Sequence, residues 1–192
     1  MNHLYNKTYS VICDQIKQLS KEKNIIVGID GRCGSGKTTL AIRLGKEFNA
    51  SVISMDDFFL PLNLRTKNRL QKVGGNIHYE RFISEVIRGL ESKNKFSYRK
   101  FDCSLMDYSC SYTITPSNIT IIEGSYSLHP KFEAIYDYKI FCTVSKDIQI
   151  ERILKRNGTN QLEVFQAKWI PMEEKYFEAF NIESNCDVVI SS

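Results

Sequence analysis

The run GIDGRCGSGKTTLA at residues 28–41 follows directly on the apolar triplet Ile25, Ile26 and Val27, and it constrains the fold more than any other stretch. Gly31, four residues, then Gly36, Lys37 and Thr38 give the spacing G-x-x-x-x-G-K-[ST] of a phosphate-binding loop. Each residue type has a physical reason. Gly31, Gly34 and Gly36 allow positive φ and close approach of the backbone, so that successive N–H groups form a concave nest for phosphate oxygens. A helix starting near Lys37 adds its positive dipole end, the Lys37 ammonium bridges β- and γ-phosphates, and the Thr38 hydroxyl holds magnesium. The nucleotide-binding stretch therefore comprises Gly31, Cys33, Gly34, Ser35, Gly36, Lys37, Thr38 and Thr39. Cys33 has two readings: a thiol whose pKa the nearby N–H dipoles lower, and the favoured one, a small space-filling residue. Such a loop must leave a buried strand and open a helix, which places the chain in an α/β class.

The rest of the chain agrees. Tyr5, Tyr9, Ile12, Ile16 and Leu19 recur at steps of four, three, four and three, which predicts a helix ahead of the first strand. Short apolar runs at 25–29, 51–55, 119–124, 138–144 and 187–191 read as buried parallel strands. Helical patterns lie between them at about 37–48, 79–92, 147–157 and 163–180, the alternation of an α/β domain with helices on both faces of its sheet. Residues 94–118 instead cluster aromatic and β-branched residues around a polar turn, which predicts a small hairpin inserted on the core.

Composition narrows the partners. With 192 residues, 42% hydrophobic and 25% charged, the chain suits one well-cored globular domain. No apolar run reaches bilayer-spanning length and the first residues lack a signal-peptide core, so a cytoplasmic protein with no membrane partner is expected. The net charge of +4, from 26 basic and 22 acidic residues, is too balanced for a nucleic-acid surface. The basic groups Arg65, Lys67, Arg69, Lys72 and Lys93, Lys95, Arg99, Lys100 read as solvated faces, although an RNA-end kinase would use them. None of the six cysteines has metal-knuckle spacing, so reduced thiols are expected. Homo-oligomerisation stays open.

Which phosphate chemistry follows depends on other residues. There is no N-K-x-D guanine reader, and the ITIIEG strand ends in the single acid Glu123 rather than an Asp-Glu pair. The second strand runs into Asp56 and Asp57 at the carboxyl edge of the sheet, where ligands bind in open α/β folds. A carboxylate there can take a hydroxyl proton and help hold magnesium. Strand alternation lets only one of the two face the phosphate crevice.

At this point the sequence resembles the uridine kinase-like group of phosphate-loop kinases, relatives of phosphoribulokinase and nicotinamide riboside kinase. The matching pieces are GIDGRCGSGKTTLA, SMDDFF, GGNIHYERF, YRKFDCS, IIEGSYSLHP, IFCTV and ERILKRNG with WIPMEEKYFEAFN, in the family's order over most of residues 25–190. The resemblance implies a three-layer α/β/α phosphate-loop NTPase fold with a five-stranded parallel sheet. It implies one domain over 1–192, with the hairpin at about 94–118 and a lid at about 152–165. It further implies ATP and magnesium as cofactors, and transfer of the γ-phosphate to a hydroxyl of a small molecule, with a nucleoside favoured. Nicotinamide riboside, pantothenate, a sugar or glycerate are the alternative acceptors, and a non-catalytic nucleotide-binding regulator is the alternative class. By the same resemblance Asp56 is the general base, and Asp56, Thr38 and Glu123 are the metal residues. Lys37 acts on the transferred phosphate, and Arg152 and Arg156 are lid arginines. Phe58, His78, Tyr79, Arg81, Tyr98 and Asp102 are acceptor-pocket candidates. The sequence departs from the family in two places: Ile77 stands where uridine kinases carry a ribose-binding aspartate, and the lid lacks their longer arginine-rich run.

Overall fold

The apolar runs and the helical stripes fold where their periodicities place them. The computed structural model describes residues 3–192. In chain order these form α1 (His3–Leu19), β1 (Ile25–Gly31), α2 (Lys37–Phe48), β2 (Ser51–Ser54), α3 (Lys67–Leu70), α4 (Tyr79–Phe82) and α5 (Arg88–Glu91). There follow β3 (Phe96–Asp102), β4 (Asp107–Ile114), β5 (Ile119–Glu123), β6 (Tyr138–Thr143), α6 (Lys146–Asn157), α7 (Thr159–Val164), α8 (Ile170–Ala179) and β7 (Val188–Ser191). π-type turns at Ile83–Ile87 and Phe165–Trp169 join α4 to α5 and α7 to α8, so each pair continues as one helical arm.

The five strands outside the hairpin pair in parallel in the order β2-β5-β1-β6-β7. All five residues of β5 are buried, because helices cover the sheet on both faces. On one face the α1 stripe of Tyr9, Ile12 and Ile16 and the α2 stripe of Leu40, Ala41 and Leu44 pack on Val27, Ile29 and Ile140. On the other, Phe82, Val86, Tyr176 and Phe177 pack on Ile53, Ile122 and Phe141. The result is the expected three-layer α/β/α sandwich. β3 and β4 form a separate antiparallel hairpin with Phe96 opposite Ile114. Its Tyr98 ring lies 5.2 Å from Phe58, which seats the hairpin on the second core. Among the described residues no helix is long and apolar enough to cross a membrane.

One polar residue binds the layers together. Asp30, fully buried near the end of β1, accepts the Gly31 N–H (2.7 Å) and Tyr126 N–H (3.2 Å) on Oδ1. On Oδ2 it accepts the Leu128 N–H (3.0 Å) and the Tyr176 hydroxyl (2.9 Å). A single carboxyl thus joins the phosphate loop, the turn after β5 and helix α8. Burial outweighs these bonds and the nearby Lys37 charge, and pushes its pKa up to about 6.

An acid whose pKa is higher in the folded chain binds more protons there than in the unfolded chain, so stability falls as pH rises between the two values. The Asp30 contribution is therefore predicted to decline from about pH 4 to about pH 6 by roughly 3 kcal/mol, and to stay flat above that. Urea midpoints of wild type and Asp30→Asn across pH 4–7 measure it: the wild-type curve should descend relative to the variant, and parallel curves would show that Asp30 does not titrate in this range.

Candidate active site

The loop is shaped by backbone geometry before any side chain matters. Gly31 has φ +138°, and a Cβ there would lie 2.0 Å from the Cys142 carbonyl oxygen of β6, so no other residue fits. The Arg32 N–H donates to that same carbonyl (3.1 Å), fixing the start of the loop to the neighbouring strand. Gly36, at φ +90°, turns the chain into α2. Lys37 Nζ donates to the Gly31 (2.7 Å) and Arg32 (3.0 Å) carbonyls, which holds the ammonium over the concave side of the loop.

Strand register gathers the acids. Ser54 at the end of β2 and Ile29 in β1 both stand opposite Glu123 at the end of β5. The Glu123 carboxylate accepts the Thr38 hydroxyl on Oε2 and the Ser54 hydroxyl on Oε1, each at 3.1 Å. β2 ends at Ser54, one residue earlier than its apolar pattern suggests, and Met55–Phe58 make a turn of 3-10 helix. Consecutive side chains in that turn are about 120° apart rather than on opposite faces. Asp56 opens into the cleft, whereas Asp57 is buried against the hairpin and accepts the Tyr98 hydroxyl at 3.1 Å. Desolvation raises the pKa of Asp56, with Glu173 adding to the rise and Lys37 and Arg156 opposing it. Glu123 is raised by burial and then by Asp56, against the two hydroxyl bonds and Lys37.

Two cavities meet at these groups. One, of about 1090 Å³, runs along the phosphate loop. The other, of about 690 Å³, lies between the 3-10 turn and the hairpin. Thr38, Asp56, Phe59, Cys103 and Glu123 line both, so the hydroxyl and the two carboxylates stand where the loop cavity and the hairpin cavity join. Thr38, Ser54, Asp56 and Glu123 offer only oxygen, the donor type that suits magnesium. Among the described residues no three His, Cys, Asp or Glu side chains converge to hold an ion.

The arm α7–α8 closes the loop side. Glu173 Oε2 accepts the Cys33 N–H (2.9 Å) and Oε1 accepts the Ser125 hydroxyl (2.6 Å). Glu174 takes Arg32 in a bidentate pair at 2.8 and 3.1 Å, and Glu183 holds the same guanidinium at 3.1 Å. Of the expected lid arginines, Arg152 donates to the Gly34 carbonyl (3.0 Å) and Ser192 Oγ (2.7 Å), while Arg156 bonds Asn157 (2.7 Å); both line the loop cavity.

The acceptor candidates divide. Tyr98 and Asp102 line the hairpin cavity, although the Asp102 carboxylate is engaged by the Ser104 N–H (2.8 Å) and hydroxyl (2.6 Å) of its own turn. Phe58 and Tyr79 lie in the hydrophobic core beneath the cleft, not in its wall. Arg81 is buried with its guanidinium 4.2 Å over the Phe58 ring and bonded to Glu85 and to the Asp57 and Arg99 carbonyls. The His78 N–H donates to the Phe58 carbonyl (2.7 Å), and desolvation lowers its imidazole pKa. The physical reason is common to all four: the bridge between Phe59 and Ile77 turns this segment inward to pack the turn that carries Asp56. Sequence reasoning missed Ser54, Phe59, Glu173 and Trp169, the last of which lines the loop cavity with its ring 6.3 Å from that of Phe59. Only Ser54 had a local signal, its place at the carboxyl end of a strand.

Fold and loop together define a phosphate-loop nucleotide-binding protein of the α/β/α class. No protein-family model matches the chain. It is 28% identical over 186 residues to uridine-cytidine kinase D of Dictyostelium discoideum, a match covering 91% of this chain and 36% of that protein's length. It is 25% identical over 151 residues to a uridine kinase of Clostridium botulinum, covering 71% of this chain and 70% of the relative. Its fold matches a possible uridine kinase from Bacillus stearothermophilus with a TM-score of 0.65 at 21% identity, over 94% of this chain and 99% of that one. The chain is thus similar in sequence to uridine kinases over most of its length, at identities below 30%.

Burial and the adjacent Glu173 carboxylate push the Cys33 thiol up to about 12, opposite to the lowering that bare loop dipoles would give. Brief iodoacetamide treatment of the native protein at pH 8 is therefore predicted to alkylate the exposed Cys103 and Cys110 and to leave Cys33 intact by mass spectrometry. Labelling of Cys33 at the rate of Cys110 would contradict this.

Proposed function

We propose that the chain is an ATP- and magnesium-dependent kinase that transfers the γ-phosphate to a hydroxyl of a small molecule, with a nucleoside as the favoured acceptor. The observation that carries the reading is the position of Asp56 where the phosphate-loop cavity meets the hairpin cavity, beside Thr38 and Glu123. A mere nucleotide binder has no need of a carboxylate facing a second cavity. Sequence similarity to uridine kinases supports the nucleoside, and the aromatic rings of Tyr98 and Tyr112 in the hairpin cavity suit a flat heterocycle.

In this reading the loop N–H groups and Lys37 hold the polyphosphate, and Thr38, Asp56 and Glu123 would hold the metal. Magnesium, when bound, supplies charge neutralisation at the phosphate oxygens. Asp56 receives the proton of the acceptor hydroxyl as that oxygen bonds to the γ-phosphorus and ADP departs. Arg152 and Arg156 of α6, which line the same cavity, stabilise charge on the transferred group. Asp57 acts through the Tyr98 hydroxyl and orients the hairpin wall.

The test is ADP release measured with uridine, cytidine, nicotinamide riboside, pantothenate and sugar alcohols as acceptors. Asp56→Asn is predicted to lower acceptor-dependent turnover by roughly 10²–10⁴-fold with ATP affinity retained. Asp57→Asn should cost much less, because an amide oxygen still accepts the Tyr98 hydroxyl. Acceptor-independent ADP release across the whole panel would sink the kinase reading, and a dead Asp57 variant beside an active Asp56 variant would reverse the roles. Lys37→Ala is predicted to abolish turnover while thermal unfolding stays close to wild type, since the ammonium contacts loop carbonyls and not the core.

A further inference from the structure

Two positive charges face the joined cavities without being consumed by the fold. Arg65 lines the loop cavity and Lys100 the hairpin cavity, and neither forms an ion pair among the described residues. Arg65 follows the 3-10 turn Leu62–Leu64 and is half-buried, with its Nε donating to the Leu60 carbonyl at 2.7 Å. That bond fixes the root of the guanidinium fork and leaves the donors of its terminal nitrogens for something else. Lys100 stands two residues after Tyr98 on β3, so both side chains share the strand face turned to the hairpin cavity. Desolvation raises the Cys103 thiol and the Arg65 charge opposes the rise, which puts the guanidinium near a residue that lines both cavities.

The other polar groups on the hairpin side are already engaged. Asp57 accepts the Tyr98 hydroxyl, Asp102 accepts the N–H and hydroxyl of Ser104, and the Thr113 hydroxyl bonds that of Ser97 at 3.0 Å. Beyond Asp56 and Glu123 at the junction, a neutral polyol finds its hydrogen-bond acceptors spent. An anion finds two open donors. The reacting end has cations of its own: besides desolvation, the positive charges acting on Asp56 are Lys37 and Arg156. Arg65 and Lys100 are thus left for a part of the acceptor away from the hydroxyl that reacts.

We propose that Arg65 and Lys100 hold an oxyanion substituent of the acceptor, so that the hydroxyl compound phosphorylated here carries a carboxylate or a phosphate of its own. The proposal rests on the kinase reading above and narrows its acceptor: a nucleoside fits when its base or sugar bears such an anion. A guanidinium fork matches the two oxygens of a carboxylate or phosphate, and a lysine adds a point charge beside it. Selectivity follows from the same groups. A neutral analogue entering this space displaces water from both cations and returns no charge to them, whereas the anion replaces that water with charge-assisted bonds.

ADP release by the full chain with ATP and magnesium tests this with matched acceptors that differ in one anion: uridine against orotidine, pantothenyl alcohol against pantothenate, and glycerol against glycerate and glycerol 3-phosphate. Wherever a set reacts, the anionic member should show kcat/KM roughly tenfold or more above the neutral one. The two glycerol derivatives tell a carboxylate from a phosphate. Arg65→Gln and Lys100→Gln should each bring the anionic-to-neutral ratio towards one, through KM rather than kcat, with KM for ATP unchanged. Arg65→Lys should restore part of the ratio, because the charge returns without the fork. Melting curves without ligand check that the variants are folded. A ratio near one in wild type, or a ratio that both glutamine variants leave intact, overturns the proposal while the kinase reading stands. ADP release that no acceptor stimulates overturns both.

Discussion

The arrangement of this molecule depends on one buried carboxyl. Asp30 has four donors from three segments: the loop, the turn after β5, and the α8 hydroxyl of Tyr176. Replacing it with an apolar residue would leave three backbone N–H groups and a tyrosine hydroxyl without a partner in the core, each a desolvation loss of about 1–3 kcal/mol. The depth that makes the carboxyl hard to ionise also gives its bonds their strength. The phosphate loop, the strand end bearing Glu123 and the helical arm therefore share one anchor, and their relative positions are set before any ligand arrives.

A second acid pair completes the connection from the far side. Glu173 and Glu174 are neighbours on α8, yet they grip different parts of the loop: one a backbone N–H and a serine hydroxyl, the other an arginine fork. Each bond is modest alone. Because they sit on one rigid helix they act together, and a displacement of the arm would be felt at Cys33 and Arg32 at once. Arg156, closer to the helix break at Gly158, bonds its neighbour Asn157 and lies 5.9 Å over the Phe165 ring instead of contacting the loop backbone.

Much of this was legible in the chain because the informative signals were local. The strand after α1 and the glycine spacing fix the loop, and apolar runs alternating with helical stripes fix a parallel sheet, since both follow from side-chain periodicity alone. Ser51–Ser54 shows the limit: the run continues to Met55, but the chain turns there into a 3-10 helix, and it is this turn that sends Asp56 and Asp57 apart. The acceptor wall was harder to read. His78, Tyr79 and Arg81 carry chemistry-bearing side chains in a familiar order, yet two of the three are spent on packing, because Arg81 must cover the Phe58 ring and Tyr79 stacks on His129. Glu173 gave no signal at all, being one of several acids on a helical arm; only the tertiary fold brings it 2.9 Å from a loop N–H.

The contact between Gly31 and the Cys142 carbonyl has a bearing on motion. A backbone pressed that close to a neighbouring strand, with the next N–H bonded to the same oxygen, has no room to shift without opening the sheet. The loop is thus a rigid socket, held on one side by a strand and on the other by the carboxylates of α8, so any widening of the cavity beside it has to come from the arm beyond Gly158 and not from the loop.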